Sequence, residues 1–257
     1  MNIVIITGAS SGIGREFALQ MDEYFACIDE FWLVARDRGK LAQLAGRLKH
    51  NARIYAMDIT DSDKLADLED AVFRHKAIVR MLINCAGYGI MGGFCEQDRA
   101  LELGMVRLNC EALTEITHRM IPYMREGSRI IQMASSAAFL PQPDFAVYAA
   151  TKAYVLSFSR ALGEELKSAG IHVTAVCPGP VDTPFFDIAE TFASTLALKK
   201  YTMVSARKVV LLALRDSLHK RSLSVYGLPI KMFLFLTKIM PHDAVLKVMD
   251  RLKKRGY

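Results

Sequence analysis

The stretch that decides the fold is IVIITGASSGIG, residues 3–14. A run of β-branched residues leads directly into glycines at positions 8, 12 and 14, and a helical pattern follows over 12–24. Glycine lets the backbone turn tightly and approach a pyrophosphate, and the first amides of the next helix then face the phosphates. The GxxxGxG spacing differs from the commoner GxGxxG, and the glycines could also form a turn without a ligand. Their position between a strand and a helix favours a nucleotide site.

The same alternation of strand and helix patterns continues along the chain. The predicted strands cover 3–7, 31–35, 53–57, 81–84, 129–134, 172–177 and 223–226. The predicted helices cover 12–24, 38–49, 61–75, 98–125, 147–169 and 205–217. Apolar strands separated by helices are typical of a parallel sheet that is covered on both faces. We therefore predict one α/β domain over 1–257, a doubly wound parallel sheet (Rossmann fold) of about seven strands, with ligands beyond the carboxyl ends of the strands.

Composition excludes several classes of protein. The net charge of +6 is modest and much of it lies in 251–257, which argues against a nucleic-acid groove. The five cysteines are scattered without CxxC spacing, so we expect a reducing compartment, no disulfide framework and no metal site. The chain shows no basic leader before its first strand, and the apolar stretch 228–240 is shorter than the roughly 20 residues that span a bilayer. We expect a cytoplasmic protein.

The end of the second strand, LVARDRGK (33–40), bears on which nucleotide binds. An arginine here accommodates a 2′-phosphate, whereas an acidic residue binds the ribose hydroxyls. Arg36 is the first residue past the strand, and Ser10 and Ser11 could add hydroxyl contacts, which favours NADP(H) over NAD(H). The alternative is that Asp37 binds the ribose and that Arg36 is a solvated side chain.

Two further strand ends carry candidate cofactor contacts. In MDIT (57–60), the carboxylate of Asp58 could accept a hydrogen bond from an adenine amino group, or it could cap the helix that begins near Asp61. In NCAG (84–87), the small residues after Asn84 would let the backbone pass close under a flat ring.

The stretch VYAATKAYV (147–155) places Tyr148 and Lys152 four residues apart, and therefore on the same side of a helix. The pair could share one site, or it could be an amphipathic edge with a lysine that reaches solvent.

Taken together, these motifs resemble the classical short-chain dehydrogenase/reductase family from Thr7 to about Phe185. The resemblance rests on TGASSGIG, NCAG, Asn109 in RLNCEA, Ser135 in MASSAAF, YAATK and CPGPVDTPF, in that order. It departs from the family at Cys85, where a second asparagine is common. It implies an oxidoreductase that interconverts a carbonyl and a secondary alcohol.

The resemblance also implies the roles of single residues. The catalytic tetrad would be Asn109, Ser135, Tyr148 and Lys152; Ser135 is preferred to Ser136 because the family's usual serine-to-tyrosine gap is thirteen residues. The loop from Pro178 to Thr183 would hold the nicotinamide. The full set of expected cofactor contacts is Gly8, Ser10, Ser11, Gly12, Ile13, Gly14, Arg36, Asp58, Ile59, Asn84, Ala86, Gly87, Tyr148, Lys152, Pro178, Gly179, Val181 and Thr183.

The expected chemistry concerns one proton. A free tyrosine has a pKa of about 10, and we expect Lys152 and an oxidised nicotinamide ring to lower the pKa of Tyr148 toward neutrality. Ser135 would orient the substrate oxygen, and Asn109 would fix a water that links Lys152 to solvent.

Three apolar segments, 88–94, 137–145 and 185–198, would line the substrate pocket, with 184–204 as a lid. They favour a bulky apolar ketone or alcohol, such as a hydroxysteroid, a bile acid or a lipid-like carbonyl; the alternative is that they only pack the lid.

The last segment, 227–257, is predicted to be a helical extension with a stripe of Val245, Val248, Met249 and Leu252 among basic residues. It could lie on an anionic membrane, close over the pocket or pack on a partner subunit. The resemblance implies a homodimer or homotetramer formed through the long helices. The rival functions are a non-catalytic redox sensor that binds a dinucleotide and a membrane-surface enzyme that acts on a lipid.

Overall fold

A seven-stranded sheet, parallel throughout, forms the centre of the molecule. The computed structural model describes residues 1–185, 203–244 and 246–247. The strands are β1 (Asn2–Thr7), β2 (Glu30–Ala35), β3 (Asn51–Ala56), β4 (Ile78–Asn84), β5 (Arg129–Met133), β6 (His172–Val176), β7 (Val181–Asp182), β8 (Val204–Ser205) and β9 (Leu223–Ser224). The order in the sheet is β3-β2-β1-β4-β5-β6-β9, so the direction of winding reverses between β1 and β4. The predicted doubly wound fold is confirmed.

Helices cover both faces of this sheet. They are α1 (Gly12–Tyr24), α2 (Arg38–Ala45), α3 (Ser62–Arg74), α4 (Arg99–Val106), α5 (Leu113–Met120), α6 (Ala146–Glu165), α7 (Ala206–Leu218) and α8 (Leu228–Ile239). Successive strand residues point to opposite faces; in β1, Val4 and Ile6 pack with α1, α2 and α7, whereas Ile3 and Ile5 pack with α3, α5 and α6. Two apolar cores, one on each face, therefore hold the carboxyl ends of β1 and β4 side by side.

The segment predicted as one helix over 98–125 is not continuous. A π-helical segment, Arg107–Ala112, separates α4 from α5, and a 3-10 turn at Ile121–Tyr123 ends the run. A π-helical turn inserts one residue into the hydrogen-bonding pattern and is often found at functional sites. The apolar pattern on both sides keeps its helical period, so periodicity predicts the helix but not its interruption.

Strands β7 and β8 form a separate parallel pair, and the Val204 amide donates to the Pro180 carbonyl at 3.0 Å. The pair joins the two ends of the segment predicted to be a lid, while most of that segment lies outside the described residues. The predicted stripe of Val245, Val248, Met249 and Leu252 also lies outside them. Within the described part of the chain, no helix is both long and apolar enough to cross a bilayer.

Candidate active site

The glycine turn after β1 packs directly against the turn after β4. Gly8 adopts a positive φ of 65°, and a Cβ on it would lie 2.8 Å from the Ala86 amide nitrogen. A Cβ on Gly14 would collide with the Gly8 carbonyl oxygen. The Thr7 hydroxyl accepts hydrogen bonds from the amides of Cys85 (3.1 Å) and Ala86 (3.2 Å). The two turns predicted to contact the cofactor therefore form one continuous surface of backbone.

Helix α1 begins at this surface with its positive end open. Its N-cap residue, Ser11, makes no side-chain capping bond to the described residues, and its first turn carries no acidic residue. The first amides of a helix lack partners within the helix, and they attract anions. This start of α1, together with glycines that a side chain would obstruct, fits the pyrophosphate of a dinucleotide.

The Asn84 side chain points into the molecule rather than along the turn. Its Nδ2 donates to the Thr117 hydroxyl and to Gln132 Oε1, both at 3.0 Å, and the residue is buried. Ile59 and Val181 are likewise buried, with their side chains in the apolar cores. For these three predicted cofactor residues, contact with a ligand would have to come from the backbone.

The residues after β2 take different roles. Asp37 caps α2 by accepting from the Lys40 amide at 3.0 Å, and this bond, with the Lys40 ammonium at 3.4 Å, lowers the pKa of its carboxyl group. Arg36, at the carboxyl end of β2, is exposed. The Asp37 carboxylate, which was the alternative contact for the ribose, is therefore engaged in capping α2.

Asp58 closes a turn after β3. Its Oδ1 accepts from the Thr60 amide at 2.9 Å and from the Thr60 hydroxyl at 2.8 Å. The residue that caps α3 is Asp61, whose side chain accepts from the amides of Asp63 and Lys64. The interpretation of Asp58 as the helix cap is therefore wrong, while its proposed contact with adenine stays a prediction.

Helix α6 buries Tyr148 and Lys152 on one side, with exposures of 7% and 5%. The Lys152 ammonium lies 5.6 Å from the centre of the Tyr148 ring and donates to the Met133 carbonyl at 2.8 Å. Ser135, just past β5, shares a hydrogen bond with the Tyr148 side chain. These three predicted residues thus meet at the carboxyl edge of the sheet.

The fourth predicted catalytic residue, Asn109, lies within the π-helical segment and is 1% exposed. Its Oδ1 accepts from the Tyr88 amide at 3.1 Å, and its Nδ2 donates to the Tyr88 carbonyl at 2.9 Å and to the Thr151 hydroxyl at 3.1 Å. A Cβ on Gly87 would lie 2.8 Å from Asn109 Oδ1 and 3.5 Å from Lys152 Nζ. Asn109 therefore ties the turn after β4 to the helix that carries Tyr148.

The protein alone does not lower the pKa of Tyr148, and the lowering expected beside an oxidised nicotinamide ring stays a prediction. Burial raises the pKa of Tyr148 to about 12, and the hydrogen bond with Ser135 opposes this rise only in part. Burial also lowers the pKa of Lys152 to about 8, against a smaller opposing effect of nearby cysteines. The Lys152 ammonium lies over the Tyr148 ring and donates to the Met133 carbonyl. Its attraction for a Tyr148 phenolate therefore does not offset the hydration that the phenolate loses on burial.

Aromatic rings from two of the segments predicted to line the pocket pack around Tyr148, although their individual contacts with it were not predicted. Phe145 stacks on the Tyr148 ring with centroids 4.2 Å apart, and Phe185 lies 5.5 Å away. A Cβ on Gly89 would lie 2.6 Å from Tyr148 Cδ2. The i, i+3 spacing of Phe145 and Tyr148 could have indicated the stacking, whereas the contacts from Gly89 and Phe185 depend on the fold.

The loop predicted to hold the nicotinamide contacts both Ser136 and the glycine turn. The Ser136 amide donates to the Pro178 carbonyl at 2.8 Å. Thr183 approaches the glycine turn, where a Cβ on Gly12 would lie 3.3 Å from Thr183 Cβ. Gly179 faces outward against Ile230 of α8. The structure thus gathers the glycine turn, the turn after β4, the tetrad and this loop at one site on the carboxyl edge of the sheet, the candidate groove for a ligand, with Arg36 and Asp58 beyond neighbouring strands.

Comparisons with known proteins agree with this geometry. A family model described as short chain dehydrogenase matches residues 2–192. An uncharacterized oxidoreductase of Staphylococcus epidermidis is 31% identical over 71% of this chain and 79% of its own. A very-long-chain 3-oxoacyl-CoA reductase of Phaeosphaeria nodorum is 31% identical over 80% of this chain and 62% of its own. A short-chain dehydrogenase from Sphingobium yanoikuyae, solved in complex with NADPH, superposes with a TM-score of 0.79 at 28% identity, covering 99% of this chain and 96% of that one.

Proposed function

We propose, since the chain belongs to the short chain dehydrogenase family and is an NAD(P)-dependent oxidoreductase, that it interconverts a carbonyl and a secondary alcohol on a bulky apolar substrate with NADP(H). The observation that carries this proposal is that Ser135 meets the buried Tyr148 and Lys152 at the carboxyl edge of the sheet, beside a glycine turn open to an anion. The substrate class includes hydroxysteroids, bile acids and lipid-like ketones.

The groove residues fit a dinucleotide, as the glycine contacts and the uncapped start of α1 indicate. Bound there, the nicotinamide would exchange a hydride with the substrate carbon. Arg36 is exposed at the carboxyl end of β2, where an arginine can accommodate a 2′-phosphate, and Asp37 is already engaged with Lys40. These two observations support NADP(H) over NAD(H).

The chain's own residues handle the proton. With its pKa near 12, Tyr148 is protonated at neutral pH and can donate to the oxygen of a carbonyl that is being reduced. Ser135 shares a hydrogen bond with that hydroxyl and would hold the substrate oxygen beside it. Lys152 is mostly charged at pH 7 and would favour the phenolate that is left behind.

The surroundings of Tyr148 support an apolar substrate. The cluster that contains Tyr148 also includes Ile90, Met105, Ala137 and Phe145, with Met91 and Phe185 at its margin. These apolar side chains would favour an apolar group next to Tyr148 over a small anionic acid. The relative from Phaeosphaeria nodorum, named as a very-long-chain 3-oxoacyl-CoA reductase, supports an apolar chain next to the carbonyl.

The test is a panel of bulky apolar ketones and alcohols, assayed by nicotinamide absorbance with both the phosphorylated and the unphosphorylated cofactor. We expect turnover of apolar ketones with NADPH and little turnover of a small keto acid. Tyr148→Phe should still bind NADPH but lose at least about 10²-fold in turnover, because the proton donor is removed. A variant that keeps most of its activity would show that another group supplies the proton.

The same proposal extends to assembly and location. We infer a cytoplasmic homodimer or homotetramer formed through α4, α5 and α6. Leu103, Val106 and Tyr154 are large apolar or aromatic side chains exposed on these helices. Such residues are expected at the centre of a subunit contact.

A further inference from the structure

Helix α8 exposes an apolar face to solvent. Leu228, Met232, Phe235, Leu236 and Ile239 are 70%, 56%, 62%, 48% and 64% exposed. Their spacing of three to four residues places them along one side of the helix. Clusters of exposed apolar side chains usually mark an interaction surface.

The opposite side of α8 is anchored to the protein. Ile230, Phe233 and Leu234 pack against an apolar cluster beside the active site, and the Phe233 ring lies 6.2 Å from that of Phe139. Ile230 also closes on Gly179, in the loop predicted to hold the nicotinamide. The helix is therefore fixed in place, with its apolar face turned away from the body of the molecule.

The charged residues of α8 are both basic, and the residues after it are mostly basic. Lys231 and Lys238 are the only charged residues in 228–240, and both are exposed. Over 228–257 the sequence contains seven basic and two acidic residues, which accounts for most of the net charge of +6. The partner that complements an apolar helix face flanked by lysines is an apolar layer with an anionic surface.

We propose that α8 docks the protein on an anionic lipid surface, lying in the plane of the interface with Leu228, Met232, Phe235 and Ile239 among the acyl chains. A second copy of the chain fits less well, because two such faces would bring the lysines of both copies to the same contact. Since α8 packs on Gly179, docking would place the groove next to the bilayer. The inference that an apolar substrate enters from the membrane rests on the proposed function, whereas the inference that α8 docks on the membrane does not.

The experiment is co-sedimentation of the full-length protein with vesicles of phosphatidylcholine, with and without phosphatidylglycerol. We expect binding to the anionic vesicles that weakens as salt is raised. The double variant Met232→Ser/Phe235→Ser should bind at least about tenfold more weakly, because burial of these side chains drives insertion. Phe73→Ser is the matched control, since Phe73 on α3 is 70% exposed, and it should bind like the parent protein.

A second variant reports insertion while the exposed face of α8 stays apolar. Phe235→Trp should be quenched by brominated lipid, whereas the parent protein, with its single buried Trp32, should not. Failure to bind anionic vesicles, equal binding by the double variant, or an unquenched Phe235→Trp would each overturn the proposal. So would a fall in the solution mass of the double variant by light scattering, which would identify the face as a subunit contact. Turnover of a water-soluble ketone without vesicles tests the proposed function separately. The double variant and Phe235→Trp should both retain this turnover.

Discussion

Tyr148 takes its chemistry from the side chains packed around it. Phe145 covers one face of its ring, Ser135 binds its hydroxyl, and Lys152 lies over the ring at 5.6 Å. Burial keeps the phenol protonated, which suits a proton donor in the direction of reduction. The position of Tyr148 follows from the spacing of a sequence motif, but its pKa follows from neighbours distant in sequence.

The pKa of Lys152 predicts a pH dependence. Lys152 is charged below about pH 8 and loses its charge as the pH rises through that value. We expect kcat/KM for the cofactor, which reports the free enzyme, to fall as the pH rises through about 8. Lys152→Arg should not show this fall whatever its absolute rate, because a guanidinium stays charged in this range. A fall at the same pH in the arginine variant would assign it to another group.

The same buried charge should weaken the fold. Between its folded pKa of about 8 and its ordinary value of 10.5, the unfolded chain binds a proton that the folded protein does not. The cost to stability is therefore fully present below pH 8 and disappears as the pH approaches 10.5. We expect Lys152→Met to be more stable at pH 7 by about 1–2 kcal/mol, after the loss of its hydrogen bond to the Met133 carbonyl is counted.

Urea denaturation of both proteins at pH 7 and pH 10 tests this expectation. The difference in stability should shrink at the higher pH. A Lys152→Met variant that is less stable than the parent protein at pH 7 would contradict this expectation. It would show that the interactions of the ammonium stabilise the fold by more than its burial costs.

At the scale of elements, the π-helical segment is what brings Asn109 to the site. Two of its hydrogen bonds hold the backbone of Tyr88, and a third reaches Thr151 on α6. The segment joins the turn after β4 to α6, which carries Tyr148 and Lys152, although nothing in its apolar pattern distinguishes it from an α-helix.

Asn109→Ala should lower the free energy of unfolding by about 2 kcal/mol, because backbone groups of Tyr88 lose their partners. Thermal unfolding measures this change. Cys110→Ala is the neighbouring control and should cost less than about 1 kcal/mol, since the hydrogen bond of the Cys110 thiol within the described residues is a long one of 3.8 Å to the Thr151 carbonyl. Equal losses in the two variants would mean that the segment, rather than the asparagine, carries the effect.

The junction of β2 and α2 allows a separate test of cofactor choice. Arg36→Ser should raise the dissociation constant for NADPH by about 10- to 100-fold and leave that for NADH nearly unchanged, because only the former carries a 2′-phosphate. Isothermal titration with both cofactors measures this. Arg38→Ser, two residues along at the start of α2, is the control. Parallel losses for NADPH and NADH would instead indicate a contact with a group that both cofactors share.

At the scale of the whole molecule, what could be predicted from the sequence is the framework. Apolar strands alternate with helices, so the seven-stranded parallel sheet and its reversal of winding follow from local pattern and chain topology. Contacts that depend on which side chains meet did not follow: the inward turn of Asn84, the capping of α3 by Asp61 rather than Asp58, and the aromatic rings on Tyr148. The inward turn of Asn84 and the contact of Phe185 with Tyr148 are decided by packing between elements far apart in the sequence, whereas the cap of α3 and the stacking of Phe145 on Tyr148 are local contacts.

The surface of α4, α5 and α6 gives the prediction for assembly. Tyr154 is exposed on α6 and held in position by Thr114, at 2.7 Å, and by stacking on Phe158. A charge at this position should break a subunit contact because it would be buried there. We expect Tyr154→Glu to reduce the solution mass in light scattering and Tyr24→Glu, on α1, to leave it unchanged. A parent protein that is already monomeric would exclude this interface.

The short pair of β7 and β8 fastens the chain immediately before Thr183 and again at Val204. Because both ends of the intervening stretch are tied at one point beside the glycine turn, changing its length alters the entropy of closing a loop only slowly. If that stretch is the predicted lid, exchanging it as a cassette would give protein engineers a place to redesign substrate choice while the sheet and α6 are left as they are.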